Sequence, residues 1–280
     1  MPVIDAHQHF WKYDPVRDSW INDDMQAIRK DFLPADLLPL LQQHGIDGSV
    51  VVQSDQSEEE NIFQLKNAEE NDLIKGIVGW VDLQDSNIEK RLAYYSSFKK
   101  MKGFRHVLQG EKQRDLMLTR AFMNGIGKLD KYGFTYDILI YPDQLSYIPQ
   151  FVTAFPGQRF VIDHIAKPNI KKGEINEWRK GIEAISVYQN VSCKISGMVT
   201  EADWHDWKEA DLLPYFDVVI NAFGTKRVMY GSDWPVCLLA ADYGRTMNIV
   251  KNYFSSFSKN EQTLFFGGNA IQFYNLNHSI

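Results

Sequence analysis

Only two cysteines, Cys193 and Cys237, occur in 280 residues. So few thiols exclude a disulfide framework as the source of stability. No basic segment followed by an apolar one stands near the start, where Met-Pro-Val-Ile-Asp opens the chain. A secretory signal is therefore not expected, and the cytoplasm is the expected compartment. Apolar runs long enough to span a bilayer are missing too, so no membrane partner is expected. The formal net charge is −6, with no block of Lys or Arg. That balance argues against a nucleic-acid surface, which usually shows a basic stripe. Pro/Ser linkers and low-complexity tracts are also lacking, and residues 1–280 are expected to form a single domain. With 44% hydrophobic and 24% charged residues, a chain of this length readily buries a core.

What is present is alternation. Short apolar runs cover residues 3–9, 48–54, 74–83, 101–110, 135–141, 159–166, 191–197 and 227–236. Most are rich in Val, Ile, Phe or Tyr, the composition of parallel strands buried on both faces. Helix-like segments follow strands two to eight, at 59–72, 86–99, 116–132, 143–155, 174–188, 203–223 and 243–257, with a last one at 260–273. Strand–helix alternation calls for right-handed βαβ units. Eight repeats fit a closed (β/α)8 barrel, the TIM-barrel α/β class, better than an open sheet. Residues 10–47 are long for a βα connection and carry Phe10, Trp11, Trp20 and Phe32. They read equally as an active-site lid or as a structural insertion on the rim.

Catalytic groups of such barrels lie at the C-terminal ends of strands. Strand one ends Asp5-Ala6-His7-Gln8-His9. Side chains two apart share a face, so His7 and His9 are expected to converge, with Asp5 one step deeper. Strand six ends Asp163-His164. Burying such groups is costly unless they are used, and histidine is the natural acid, base or ligand near neutral pH. Strand eight ends Gly231-Ser232-Asp233-Trp234-Pro235, where a carboxylate can ligate a metal, take a proton from water, or simply cap the next helix.

Taken together, Val3-Ile4-Asp5-Ala6-His7-Gln8-His9-Phe10-Trp11, Lys102-Gly103-Phe104-Arg105-His106, Asp163-His164-Ile165-Ala166-Lys167-Pro168 and Tyr230-Gly231-Ser232-Asp233-Trp234-Pro235 resemble the amidohydrolase superfamily. The resemblance is to its amidohydrolase-related group of sugar-lactone hydrolases and runs from residue 3 to about residue 275. It implies metal or substrate binding by His7, His9 and His164, and proton acceptance from the attacking water by Asp233. Binuclear members carry a bridging Lys or Glu on strand four, where this chain has Arg105 and His106. Metal-binding members often have a strand-five histidine, and 136–141 has none. The expectation is therefore no required metal, or one divalent ion at most, zinc by its ligands, held by His7, His9, His164 and Asp233.

Around these, Arg105 reads either as the group polarising a lactone carbonyl or as an ion-pair partner of a barrel carboxylate such as Asp137. His106 alternates with Arg105 and points away from it in a regular strand. Trp11, Trp80, Tyr141 and Trp234 fall near strand ends, where aromatic faces suit a sugar ring or pack the rim. Ser196 reads as a donor to substrate or as a helix cap. The resemblance implies hydrolysis of an aldonolactone such as L-fuconolactone or L-rhamnonolactone. A metal-dependent decarboxylase of the same superfamily and a non-enzymatic carbohydrate-binding barrel are the alternatives. Few basic groups stand at strand ends, so a neutral polyhydroxylated lactone is expected over a dicarboxylated one. Oligomeric state is left open.

Overall fold

In the computed structural model, which describes residues 1–276, the eight runs form one parallel sheet. The strands are β1 Ile4–Gln8, β2 Gly48–Val52, β3 Ile74–Gly79, β4 Met101–His106, β5 Thr135–Ile138, β6 Phe160–Ile162, β7 Val191–Ile195 and β8 Val228–Tyr230. They pair in chain order. β8 returns to β1 through a Gln8–Trp234 bridge, with His9 N donating to the Trp234 carbonyl at 2.7 Å and Asp233 N to that of His7 at 2.8 Å. The fold is a (β/α)8 barrel. The strands are shorter than their apolar runs because the last residues of each run leave the ladder and turn over the mouth.

The helices are α1 Pro34–His44, α2 Glu58–Glu70, α3 Ile88–Tyr95, α4 Arg120–Leu129, α5 Ile148–Thr153, α6 Asn176–Ser186, α7 Glu209–Phe223, α8 Tyr243–Phe254, α9 Lys259–Thr263 and α10 Asn269–Tyr274. Local chemistry starts several of them. Ser57 accepts from Glu60 N ahead of α2, whose first turn carries Glu58, Glu59 and Glu60 at the positive end of the helix dipole. Asp242 accepts from Arg245 N at 2.7 Å ahead of α8.

Residues 10–47 are not one long connection. They contain α1, which begins with Pro34 in its first turn, buries Leu37 and Leu41, and ends at left-handed Gly45 with φ +69°. Pro39 lies inside this helix. A sequence reading takes such a proline as a stop, and so the helix is concealed. The remainder folds back as a flap, closed by paired hydrogen bonds between Trp11 and Phe32 at 3.0 and 2.9 Å. The expected last helix is also two helices, α9 and α10, joined by a wide turn at Leu264–Gly268.

The barrel interior is filled from below by Ile4, Ala6, Val50, Val52, Val78, Val161 and Met229, against which α10 packs Ile271 and Tyr274. A separate, larger apolar shell lies between strands and helices. No helix among the described residues is long and apolar enough to cross a membrane.

Candidate active site

Above the apolar floor, the interior turns polar. Arg105 on β4, Asp137 on β5, Asp163 after β6 and Lys194 on β7 are all buried. The Lys194 ammonium lies 2.6 Å from Asp137 Oδ2 and 3.0 Å from Asp163 Oδ1. Arg105 Nη1 lies 3.0 Å from Asp163 Oδ2, and its Nη2 donates to the Gln53 carbonyl. Two cations and two carboxylates thus neutralise one another in a buried layer, as buried charges must. The hydroxyl of Tyr274 in α10 donates to Asp137 Oδ2 at 2.7 Å from beneath.

β1 delivers its histidines to this layer through an irregularity. Asp5 pairs with Ser49 and Gln8 with Val51, so three steps on β1 match two on β2. This is a one-residue bulge, which re-aims side chains. Ile4 and Ala6 belong to the interior cluster, and His7 then faces inward as well. The expectation that Asp5 shares the face of His7 and His9 is corrected by this bulge. Asp5 accepts from Tyr243 of α8 at 3.0 Å and from Ser232 N at 2.9 Å. Burial still raises its carboxyl to about 6, against these hydrogen bonds. Gly231 is required opposite: a Cβ there would sit 2.6 Å from that of His7.

β6 uses a second device. His164, Ile165, Ala166 and Lys167 have φ of 51°, 49°, 58° and 47°. Four consecutive non-glycine residues in the left-handed region, one of them β-branched, are strained by roughly 1–2 kcal/mol each. Burial of Ile165 and Ala166, and a 2.7 Å bond from Trp178 Nε1 to the Ile165 carbonyl, hold the turn. Its effect is that Asp163 and His164, adjacent in sequence, both point inward. Asp233 is left-handed too, with φ 58°. Strain of this kind gathers at functional sites.

The result is a convergence on one carboxylate oxygen. His9 Nε2, His7 Nε2 and His164 Nε2 lie 3.3, 3.8 and 3.9 Å from Asp233 Oδ1. Each imidazole has its other nitrogen tied outward: His9 Nδ1 to the Val52 carbonyl at 2.7 Å, His164 Nδ1 to Ser196 Oγ at 2.9 Å, and His7 Nδ1 to Lys194 or Asp163. Burial holds His7 and His164 well below the ordinary imidazole range, which keeps both neutral at pH 7. For Asp233, burial acts upward, but His164, His9 and Lys167 together hold it below the usual carboxylate value. Ligand atoms of His7, His164 and Asp233 lie within 4.8 Å of one another. Neutral imidazoles with outward-tied Nδ1 and an ionised carboxylate are a donor set that fits zinc.

Over this cluster opens a cavity of about 320 Å³ lined by His9, Arg105, His164 and Asp233 below and by Trp11 and Trp20 of the flap to one side. A larger groove, about 540 Å³, runs beside α1 and α8 outside the barrel and contains none of these groups. His7 lies fully buried beneath His9. Four residues expected to contact substrate are elsewhere. His106 points outward, 2.8 Å from Glu111 and edge-on to Phe122 of α4. Trp80 donates to His106 Nδ1 behind it. Trp234 is buried against Phe10 and Phe32, and Tyr141 is 40% exposed outside the cavity lining. Strand alternation accounts for His106, and rim packing for the aromatics.

Of the two readings of Arg105, its contact is an ion pair with a barrel carboxylate, Asp163, while Asp137 is held by Lys194. Lys194 itself gave one signal: a lysine between Cys193 and Ile195, inside an apolar strand. Asp55, Gln109 and Lys167 also line the cavity.

A family model described as Amidohydrolase matches residues 4–276. An L-fucono-1,5-lactonase of Burkholderia multivorans is 34% identical over 98% of this chain and 96% of its own. One of Burkholderia ambifaria is 35% identical over 98% and 95%. A crystal structure of an amidohydrolase from Burkholderia multivorans with bound zinc superposes with a TM-score of 0.96 at 33% identity, covering 99% of this chain and all of that one. A dihydroxybenzoic acid decarboxylase from Polaromonas, at 11% identity and a TM-score of 0.68, shares the fold alone.

Proposed function

The chain belongs to the amidohydrolase family, and from that premise we propose that it hydrolyses a neutral sugar lactone, an aldonolactone of the L-fucono-1,5-lactone type. One observation carries this reading: three imidazole Nε2 atoms converge on Asp233 Oδ1 under a cavity of about 320 Å³. Asp233 takes a proton from water, and that water adds to the ring carbonyl. The tetrahedral intermediate expels the ring oxygen, which leaves as a hydroxyl after taking up the proton. The product is an aldonate, and one proton is released at neutral pH. His7, His9, His164 and Asp233 are the residues that would hold one zinc ion. When bound, zinc would polarise the carbonyl and acidify water.

Arg105 has a different part from carbonyl polarisation. Its Nη1 and Nη2 are committed to Asp163 and Gln53, and it anchors the floor under substrate. The flap presents Trp11 and Trp20, whose faces suit the C–H side of a sugar ring. Gln109 lines the opposite wall with a buried, unpartnered Oε1, an acceptor waiting for a hydroxyl. Formal charge in the lining balances, Arg105 and Lys167 against Asp55 and Asp233. Arg114 is paired with Asp143 at 2.7 Å and is not part of the lining. Among the side chains, a dicarboxylate would therefore find no spare cation.

The test is proton release from L-fucono-1,5-lactone, L-rhamnono-γ-lactone and a 2-pyrone-4,6-dicarboxylate, with metal-free and zinc-supplemented protein. Faster turnover of the neutral lactones is expected. Turnover of the dicarboxylate alone would refute the substrate class, and no lactone turnover at all would refute the activity.

A further inference from the structure

Lys167 ends the left-handed turn after β6 and lines the same cavity as His164 and Asp233. Its amide donates to the His164 carbonyl at 2.8 Å, so one tight turn carries an imidazole at its first residue and an ammonium at its last. Glycine would adopt a φ of 47° without strain, yet a lysine stands there. Its side chain is 17% exposed, and Nζ lies 3.0 Å from Glu201 Oε1, in the loop after β7. An ammonium has three N–H donors. Glu201 is its one hydrogen-bond partner among the described residues, so two donors remain unused. The ion pair is not needed to join the two loops, because Lys171 N already donates to the Glu201 carbonyl at 3.0 Å. Arg105, the other cation of the lining, is committed to Asp163 and Gln53.

Lactone hydrolysis needs a cation where its charge appears, since a neutral ring enters and an anion leaves. Water addition puts the carbonyl π pair on oxygen. Cleavage of the ring C–O bond restores the double bond, and the ring oxygen takes the proton that Asp233 removed from water. The acid so formed loses its own proton to solvent and stays as a carboxylate. We propose that Lys167 donates to the oxygens of the attacked carbon, first in the tetrahedral intermediate and then in the aldonate carboxylate, and that Glu201 is the positioning residue that aims it. The inference rests on the lactonase reading and assigns the side chain that handles its charge. Donors aimed at developing charge in a buried site are worth far more than in water. One new anionic group is met by one ammonium. A substrate that already bears two carboxylates still finds no partner for them.

The test is steady-state kinetics with L-fucono-1,5-lactone beside calorimetric binding of L-fuconate, its hydrolysis product, to full-length protein at equal metal content. In Lys167→Met, kcat is expected to fall roughly 100-fold with KM near the wild-type value, and L-fuconate affinity to fall roughly 10-fold or more. That variant leaves Glu201 unpaired, and a lone carboxylate would itself repel the product. The double variant Lys167→Met/Glu201→Gln removes this repulsion and is expected to show the same losses. Glu201→Gln alone keeps the ammonium, so it should bind L-fuconate as tightly as wild type or tighter, and lose less kcat than Lys167→Met. A mere tie between loops would make Glu201→Gln and Lys167→Met behave alike, and that outcome would overturn the proposal. Wild-type affinity for L-fuconate in the double variant would overturn it too, with the lactonase reading left standing. If Lys167→Met does not fold, the double variant and Glu201→Gln decide. No turnover of any lactone by the wild type would remove the lactonase reading and this inference with it.

Discussion

Asp233 faces three imidazoles, contacts that a neutral isostere keeps only in part. Asp233→Asn retains volume and backbone but removes the proton acceptor, and kcat is expected to fall roughly 100-fold or more. Circular dichroism and Tm of the variant should stay near wild type. A variant that turns over normally would move the base to His164. The buried histidines set a pH dependence of stability in the metal-free protein. His7 and His164 are held well below 6.5 by burial. Below pH 6.5 the unfolded chain takes up protons there that the folded chain refuses, so stability is lost as pH falls from that value. His164→Gln removes one such group. The drop in Tm between pH 7 and pH 5 is therefore expected to be smaller in the variant. An equal or larger drop would show that His164 charges freely in the fold. At this scale the sequence displayed His7, His9, His164 and Asp233 openly, because each closes an apolar run. It hid Lys194, since one lysine within a strand carries no sign of which carboxylates will surround it.

Two elements matter through backbone shape more than side-chain identity. The β1 bulge lets Ala6 fill the floor while His7 and His9 both enter the site. The left-handed turn after β6 does the same for Asp163 and His164. Gly197 permits both the turn and Asp233 to close, for it has φ +63° and its Cβ would lie 2.6 Å from His164 Nδ1 and 3.1 Å from Asp233 Oδ2. Gly197→Ala is expected to cost about 1–2 kcal/mol in stability from the left-handed backbone alone. It should also lower kcat by displacing His164, measured by denaturant unfolding beside steady-state kinetics. Unchanged kinetics would show that the turn tolerates a shift of the imidazole. These features were illegible in the sequence, where period-two alternation is the only available rule and bulges and left-handed runs break it.

For the molecule as a whole, the barrel brings Arg105, Asp137, Asp163 and Lys194 from β4 to the end of β7 into one buried layer whose charges cancel, and it sets His9, His164 and Asp233 above that layer in the cavity lining. Such a preformed site would hold the proposed ion in the folded state only, so binding should stabilise the fold by mass action. Zinc at 100 times its Kd is expected to add about 2.7 kcal/mol, and Tm should climb with the logarithm of zinc concentration. Differential scanning calorimetry over a zinc series checks this, and a flat Tm would show that the folded chain holds no zinc. Strand ends that carried titratable groups were legible because a parallel barrel puts every strand's C-terminus at the same mouth.

The sequence alone determined the barrel, since eight apolar runs spaced by amphipathic stretches admit few other closures, and it determined the four residues at the mouth. Only the tertiary structure decided that Asp5 turns to α8, that Arg105 pairs with Asp163, that Trp20 lines the cavity, and that Lys194 and Asp163 share one nitrogen of His7. The physical reason is range. Hydrophobic periodicity is a local property written along the chain, whereas the partner of a buried charge is fixed by strands up to 187 residues apart and by the exact register in which the barrel closes.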